Sequence, residues 1–424
     1  MKKLVLIFAI SLLVPQLIYA GDGSPLSGRG IGGFSSFSGS RSTGMGNAGI
    51  ALIGGNELSI VNPASWSGLG YVTFNAIYSF SGNWSDDKSV GTSSYLTNGN
   101  FGGASLGLPI QKDIGLVVAG GFDPFTSYNY QTRTRGSVPA TTEIPVWTLH
   151  NTGSGGLGEG FLGFSIKPFK WLSVGSAFRY VFGRVQTTRQ ITFDNSSYYS
   201  TYSDRSTYLR GPSATFGAIV ENAGDIFNSA ITRDISIGGY VRLATNLHGN
   251  FQLRNSYIDH LDTTLVDESV TGYVPPEFGV GITKVFREGL TGVLDVRVQN
   301  LSKYYDSSTP KGTFGDEIFV GGGLEFFQGL RSLSPFDKRA YRVGAYYEKS
   351  QFLVMSNSGI MKQADEIFLT GGIELPISYA ATVNFSLQYG FRGLASDLLL
   401  KERVLRFYLS ITGGETWFFR PQSD

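Results

Sequence analysis

The side chains that most often carry chemistry are few in this chain, and they are scattered. Its three histidines, His150, His248 and His260, stand far apart without metal-ligand spacing, and cysteine is absent. Neither an imidazole cluster nor a thiolate site is on offer, so no metal and no cofactor is expected. Gly-x-Ser-x-Gly does not occur in a strand-turn-helix setting, which removes the usual hydrolase elbow. The glycine-rich runs Gly153 to Gly160 and Gly321 to Gly323 lack the Lys-Ser/Thr sequel and the βαβ context of a phosphate loop. A Ser, His and acid set on a barrel remains open from spacing alone, but nothing favours it, and no catalytic residue is assigned. Arg133, Arg135, Arg184 and Arg189 are of the type that holds a carboxylate or phosphate in a bidentate grip, each being otherwise a solvated loop residue. With 34 Lys and Arg against 33 Asp and Glu, the net charge of +1 points to no nucleic acid.

The elements that must position these residues read as strands. From Thr382 to Phe391, Val383, Phe385, Leu387, Tyr389 and Phe391 fall on one face, and Thr382, Asn384, Ser386, Gln388 and Gly390 on the other. Leu294, Val296 and Val298 alternate with Asp295, Arg297 and Gln299. Leu405, Phe407, Leu409 and Ile411 alternate with Arg406, Tyr408, Ser410 and Thr412. An Arg or Lys facing lipid at mid-membrane costs ~2–4 kcal/mol, so a strand apolar on one face and charged on the other suits a barrel with lipid outside and a polar lumen within.

Candidate strands run near 70–81, 100–111, 114–125, 161–169, 172–190, 208–220, 235–257, 277–286, 289–299, 317–327, 341–350, 366–376, 381–391 and 402–413, fourteen in all. Short connections such as Lys112-Asp113 and Arg287-Glu288 follow even-numbered strands. Long polar ones (82–99, 126–160, 191–207, 258–276 and 300–316) follow odd-numbered strands. Barrels of the bacterial outer membrane have short periplasmic turns and long external loops, so this parity puts both termini in the periplasm. The connection at 328–340 is long for that side. The loops carry Trp84, Tyr95, Tyr128, Tyr130, Trp147, Tyr198, Tyr199, Tyr202, Tyr304 and Tyr305, most of them expected in the girdle at the membrane edge.

Lys2 and Lys3 precede an apolar run from Leu4 to Leu13, with Pro15 and a cleavage point after Ala20, the pattern of a secretory signal. That run is too short to span, and no later window offers the ~20 apolar residues of a membrane helix. Charged residues are 16% of the chain against roughly 25% in soluble domains, and aromatics reach 14%. The expected divisions are a signal peptide at 1–20, a separate segment at 21–69, a barrel at 70–419 and a tail at 420–424.

Residues 21–69 do not alternate. They contain Gly44-Met45-Gly46-Asn47-Ala48-Gly49, and then Asn62-Pro63-Ala64. Here the chain resembles the FadL/TodX family of outer-membrane transporters for hydrophobic compounds, in which a G-x-x-x-x-G-M-G-x-A stretch and an Asn-Pro-Ala motif form an N-terminal hatch inside a 14-stranded barrel. Tyr341 to Tyr347, Leu387 to Gly393 and Trp417-Phe418-Phe419 resemble the closing strands of members from the Bacteroidetes group. The tail Arg420 to Asp424 departs from the terminal aromatic that many such barrels carry. A barrel of fourteen strands is wider than its own side chains fill, which gives a plug its physical reason.

The resemblance implies an all-β transmembrane antiparallel β-barrel with an N-terminal plug. It also implies passive admission of a hydrophobic small molecule, such as a fatty acid or aromatic hydrocarbon. Gly44, Gly46 and Gly49 would let the hatch pack on the wall, and Asn62, Pro63 and Ala64 would lie near the wall opening; the plainer reading of that motif is a capped turn. Gly120, Gly121 and Pro124 in the third strand are the expected kink of a lateral opening, or else the start of the next loop. Expected surroundings are outer-membrane lipid and lipopolysaccharide, and a monomer is the simplest state. The alternative is a FadL-like docking protein for secreted proteins, with no small-molecule flux.

Overall fold

A computed structural model describes residues 23–35, 39–54, 58–89, 91–136, 146–194, 198–224, 234–257, 263–308, 312–329, 331–378 and 381–415. Residues 1–20, expected to be a signal peptide, together with His260, the aromatics at 417–419 and residues 420–424, lie outside the described residues. Fourteen barrel strands follow one another: β1 (Val72–Asp87), β2 (Thr92–Gln111), β3 (Leu116–Pro124, continuing as Thr126–Ser127 and Tyr130–Gly136), β4 (Trp147–Phe169), β5 (Leu172–Phe193), β6 (Thr201–Val220) and β7 (Ile235–Arg242 with Thr245–Tyr257). They continue as β8 (Thr263–Val274 with Glu277–Arg287), β9 (Leu290–Gln299), β10 (Glu317–Gln328), β11 (Arg339–Lys349), β12 (Glu366–Ser378), β13 (Ala381–Arg392) and β14 (Leu400–Glu415). Each pairs antiparallel with the next, and β1 closes on β14 from Val72↔Glu415 to Asp87↔Leu400. Both chain ends of the barrel therefore lie at one rim, called here the near end.

The alternation read from the sequence is the wall's inside-outside pattern. Asp295, Arg297 and Gln299 are buried while Leu294, Val296 and Val298 are exposed, and Gln388 is fully buried between exposed Leu387 and Tyr389. Leu369 and Leu162 leave 68% and 64% of their surfaces uncovered, members of an outward apolar band that calls for a hydrocarbon surround. Among the described residues no helix is long and apolar enough to cross a membrane.

The strand count agrees with the sequence, but the far-end loops are a correction. β4 and β5 run for 23 and 22 residues, where ~9–11 suffice to cross a bilayer. Most of 82–99, 126–160, 191–207 and 258–276 is strand rather than loop. Beyond the apolar band both faces of the wall are polar, so the alternation that marks a strand fades. By contrast β9 has 10 residues, so the wall is tall on one side and low on the other. Tyr128, Tyr130 and Tyr304 are a second correction: they are buried in the lumen with Ile31, Phe125, Leu157 and Phe314, away from any outer girdle.

Candidate functional site: the lumen segment and the wall gap

The described residues 23–35, 39–54 and 58–69 lie against inward-facing wall residues along the barrel. The middle of this segment is held by hydrogen bonds. Gly46 N–H donates to Thr370 Oγ1 at 2.8 Å, Gln388 Nε2 donates to Thr43 O at 2.9 Å, and Asp295 Oδ2 accepts from Gly49 and Ile50 N–H. Arg41 and Arg342 share Glu325, with Nε to Oε2 distances of 2.9 and 2.7 Å. Gly46 sits at φ +66°, and a Cβ there would come within 2.3 Å of Ala345 O, so the position admits glycine. Gly44 is less tight: a Cβ there would lie 3.1 Å from Arg342 Cβ and 3.2 Å from Gly372 Cα. A Cβ on Gly49 would meet only Leu52, a flexible neighbour in the same segment, at 3.0 Å.

The wall answers with glycines of its own. Cβ atoms on Gly321, Gly323 and Gly344 would reach the Met45-Gly46 backbone at 2.2, 2.7 and 2.4 Å. The run Gly321 to Gly323, which matched no phosphate loop, is thus the groove that receives Met45 and Gly46. Sequence reasoning missed it because two chain regions about 280 residues apart must be brought together before the fit is visible.

Asn62 caps the 3₁₀ turn Pro63–Gly68: Ala64 N–H donates to Asn62 Oδ1 at 3.1 Å, and Asn62 Nδ2 donates to Ile50 O at 2.8 Å. Fully buried, it packs on β5 and β6, where Cβ atoms on Gly175 and Gly217 would meet Pro63 C at 2.5 Å and Asn62 Oδ1 at 1.9 Å. Nearby, Arg179 of β5 pairs with Glu159 at 2.5 Å, donates to Thr215 Oγ1 at 2.9 Å and donates to Ile60 O. Arg242 also grips Glu159. Buried Arg179 and part-buried Arg242 thus share one buried carboxylate, and a second, Asp123, lies 4.0 Å from Arg179.

The third strand leaves its neighbour partway along the wall. Gly120 and Gly121 are in register on both sides, opposite Leu106 and Ser105 of β2 and Leu162 and Phe161 of β4. The last partner toward β2 is Phe122, opposite Ala104; past Pro124 the chain pairs with β4 and, at Thr126–Ser127, with the two-residue strand Gly33–Phe34. Residues 92–103 of β2 then pair only with β1 among the described residues. Gly103, at φ +121°, marks a register shift in the β1–β2 ladder at this point.

Two cavities flank that short pair. Toward the near end, a cavity of about 140 Å³ reaches Phe101, Pro124 and Phe34 on one side and Glu348, Arg392 and Arg406 on the other. Toward the far end, one of about 360 Å³ is lined by Arg29, Arg189 and Arg205 together with Ile31, Tyr128 and Tyr130. Burial lowers the Arg29 guanidinium from its ordinary value. Of the four arginines noted in the sequence, Arg189 lines this cavity, Arg135 pairs with Asp194 at 2.5 Å, Arg184 lies on an outward tyrosine and Arg133 is exposed. Among the described residues no group of His, Asp and Glu is arranged to hold a metal; His150 sits in the β4 ladder opposite Arg133 and Gln190, and His248 faces outward.

A family model described as BamG matches residues 1–424. No curated protein matches the chain. Among solved structures, a FadL homologue from Pseudomonas aeruginosa is similar with a TM-score of 0.61 and 12% identity, covering 90% of this chain and 99% of that one. The toluene transporter TodX of P. putida gives 0.59 at 13% identity, covering 91% and 100%. The toluene transporter TbuX of Ralstonia pickettii gives 0.57 at 15%, covering 89% and 98%. The barrel fold is thus the one found in FadL and TodX.

Proposed function

On the premise that this chain belongs to the BamG family, we propose that it is an outer-membrane barrel passively admitting a hydrophobic small molecule of the fatty acid or aromatic hydrocarbon class. The observation that carries this reading is the interrupted wall between β2 and β3, with a cavity directly behind it. A ligand would first lodge in the far-end cavity, an anionic head at Arg29, Arg189 and Arg205 and its apolar part on Ile31, Tyr128 and Tyr130. Parting Gly33–Phe34 from Thr126–Ser127 would join the two cavities, because that pair separates them along both chains. The molecule would then leave sideways between β2 and β3 into the bilayer.

In this scheme residues 21–69 are a hatch of two halves. The part from Ser40 to Gly54 is fastened by the ties to Glu325, Thr370, Asp295 and Gln388, and the motif Asn62-Pro63-Ala64 is the hatch's fixed foot. The moving part is Gly23 to Ser35. The near end, where β1 begins and β14 ends, faces the periplasm, while Gly23 and Ser24 lie toward the other rim against Leu96 and Glu402, and the barrel acts as a monomer without catalysis. No driving force beyond the concentration gradient is required.

One observation favours docking of secreted proteins instead: so many buried polar ties hold the segment that wide opening of the lumen would be costly. The test is native mass spectrometry of the detergent-purified mature protein, with retained molecules identified, beside uptake of a labelled long-chain fatty acid in cells with and without the gene. Retained lipid and gene-dependent uptake support transport. An empty protein with unaltered uptake favours docking, to be pursued by pull-down of secreted partners.

A further inference from the structure

The outside of the tall wall changes character within two residues on each strand. On β5 the outward Phe178, Tyr180 and Phe182 give way to Arg184, and on β6 outward Phe216 and Pro212 give way to Arg210. The register sets the polar groups side by side: Phe182 is opposite Arg210 and Arg210 opposite His248, while Arg184 is opposite Tyr208 and Tyr208 opposite Asn250. Arg184 lies over the Tyr208 ring, 5.5 Å from its centroid, and donates to its hydroxyl at 3.2 Å. Neither Arg184 nor Arg210 is ion-paired with a carboxylate among the described residues. The outward acids closest in register, Asp204 and Asp267, lie further from the apolar band and accept from Gln186 and Gln252. Phe182, Arg184, Tyr208, Arg210, His248 and Asn250 line an open concavity of about 680 Å³, with Gly183 and Gly249 also in its lining.

We propose that this concavity binds the phosphate-bearing headgroup of a membrane lipid in the leaflet at the far end. Arg184 and Arg210 would hold the phosphate, with His248 and Asn250 as further polar contacts and the acyl chains on the Phe178–Tyr180–Phe182 face. A neutral lipid gives two guanidinium groups that lack a carboxylate no counter-charge, and a free anion leaves the Phe178–Tyr180–Phe182 face unused. Tyr208 pre-positions one guanidinium, so less freedom is lost on binding than with two free arginine side chains. The inference rests on the membrane-spanning reading of the barrel, which the same experiment checks separately.

The test uses the mature protein in detergent, titrated with lipid A, dephosphorylated lipid A and inorganic phosphate, with bound species counted by native mass spectrometry. Wild type should bind one lipid A, and the Arg184→Gln/Arg210→Gln double variant should bind it about tenfold more weakly, as loss of charge-assisted contacts implies. Dephosphorylated lipid A should not distinguish the two proteins, and inorganic phosphate should not compete. Phe182→Ala should weaken lipid A binding while leaving both arginines in place. Equal binding by wild type and double variant overturns the site. So does an equal loss in the control Arg133→Gln, which would mean diffuse charge, or displacement by inorganic phosphate, which would mean a free-anion site. Every variant must keep heat-modifiable gel migration. Wild type that does not float with phospholipid vesicles would sink the membrane reading itself, whatever the lipid A result.

Discussion

Asp295 Oδ2 accepts the backbone N–H of Gly49 at 2.6 Å and that of Ile50 at 2.9 Å, so one wall carboxylate satisfies two consecutive buried donors of the lumen segment. Asp295→Ala orphans both, at a cost of ~1–3 kcal/mol for each group left without a partner. Asp295→Asn keeps an acceptor oxygen and should cost less. Hydrogen exchange at Gly49 and Ile50 is the readout: faster exchange in the Ala variant with an intact barrel is expected, and unchanged protection would mean the contact holds nothing.

A Cβ on Gly217 would come within 1.9 Å of Asn62 Oδ1. Gly217→Ala should therefore push the Asn62-Pro63-Ala64 turn off the wall. Asn62→Ala removes the clashing oxygen, so the double variant should recover part of the loss, with a coupling of ~1–3 kcal/mol. Strict additivity of the two single effects on thermal unfolding would rule out this contact as their cause.

Glu159 lies between Arg179 and Arg242, and all three are largely buried. Glu159→Gln leaves two cations without their carboxylate and should destabilise the barrel by ~3–5 kcal/mol. Arg331 and Glu288 form an exposed pair at the near-end turns, and Glu288→Gln should leave stability unchanged. The temperature at which gel migration shifts compares the two. Similar behaviour of both variants would argue against the buried trio as a stabilising contact once formed.

Phe34 and Thr126 are direct ladder partners in the short strand pair between the two cavities. Cα separations in antiparallel pairs, ~4.5–5.5 Å, suit a disulfide, and the chain has no cysteine to compete. Phe34→Cys/Thr126→Cys should close the proposed route when oxidised and reopen it on reduction, read as uptake of labelled fatty acid. Full uptake by the oxidised form would remove this pair from the pathway.

Arg29, Arg189 and Arg205 converge on the far-end cavity. Arg189→Gln and Arg205→Gln should each weaken binding of a long-chain carboxylate by about tenfold, the scale of one charge-assisted contact. Binding of its methyl ester should change little. A similar loss for acid and ester would show that packing, not charge, had been disturbed.

How much of this was legible in the chain follows from where each face meets a different solvent. Within the apolar band, Leu387 and Gln388 differ because one meets hydrocarbon and the other the lumen, and there the strand order and count could be read directly. Above it, Thr201 to Ser206 and Thr148 to Gly153 read as loop because both faces are polar, yet they are paired strand. The motif glycines were visible as glycines, but their partners were not: Gly46 answers Gly321 and Gly344, and Asn62 answers Gly217.

The sequence by itself determined the barrel, its fourteen strands and the face each residue of the apolar band presents, because alternation against lipid is a local constraint repeated along every strand. Only the tertiary structure decided which wall residues grip the N-terminal segment, that the β2–β3 ladder ends at Phe122, and that three arginines share one cavity. Those are contacts between positions far apart in the chain. Their fit depends on angstrom-scale approach across the lumen, which no local pattern encodes.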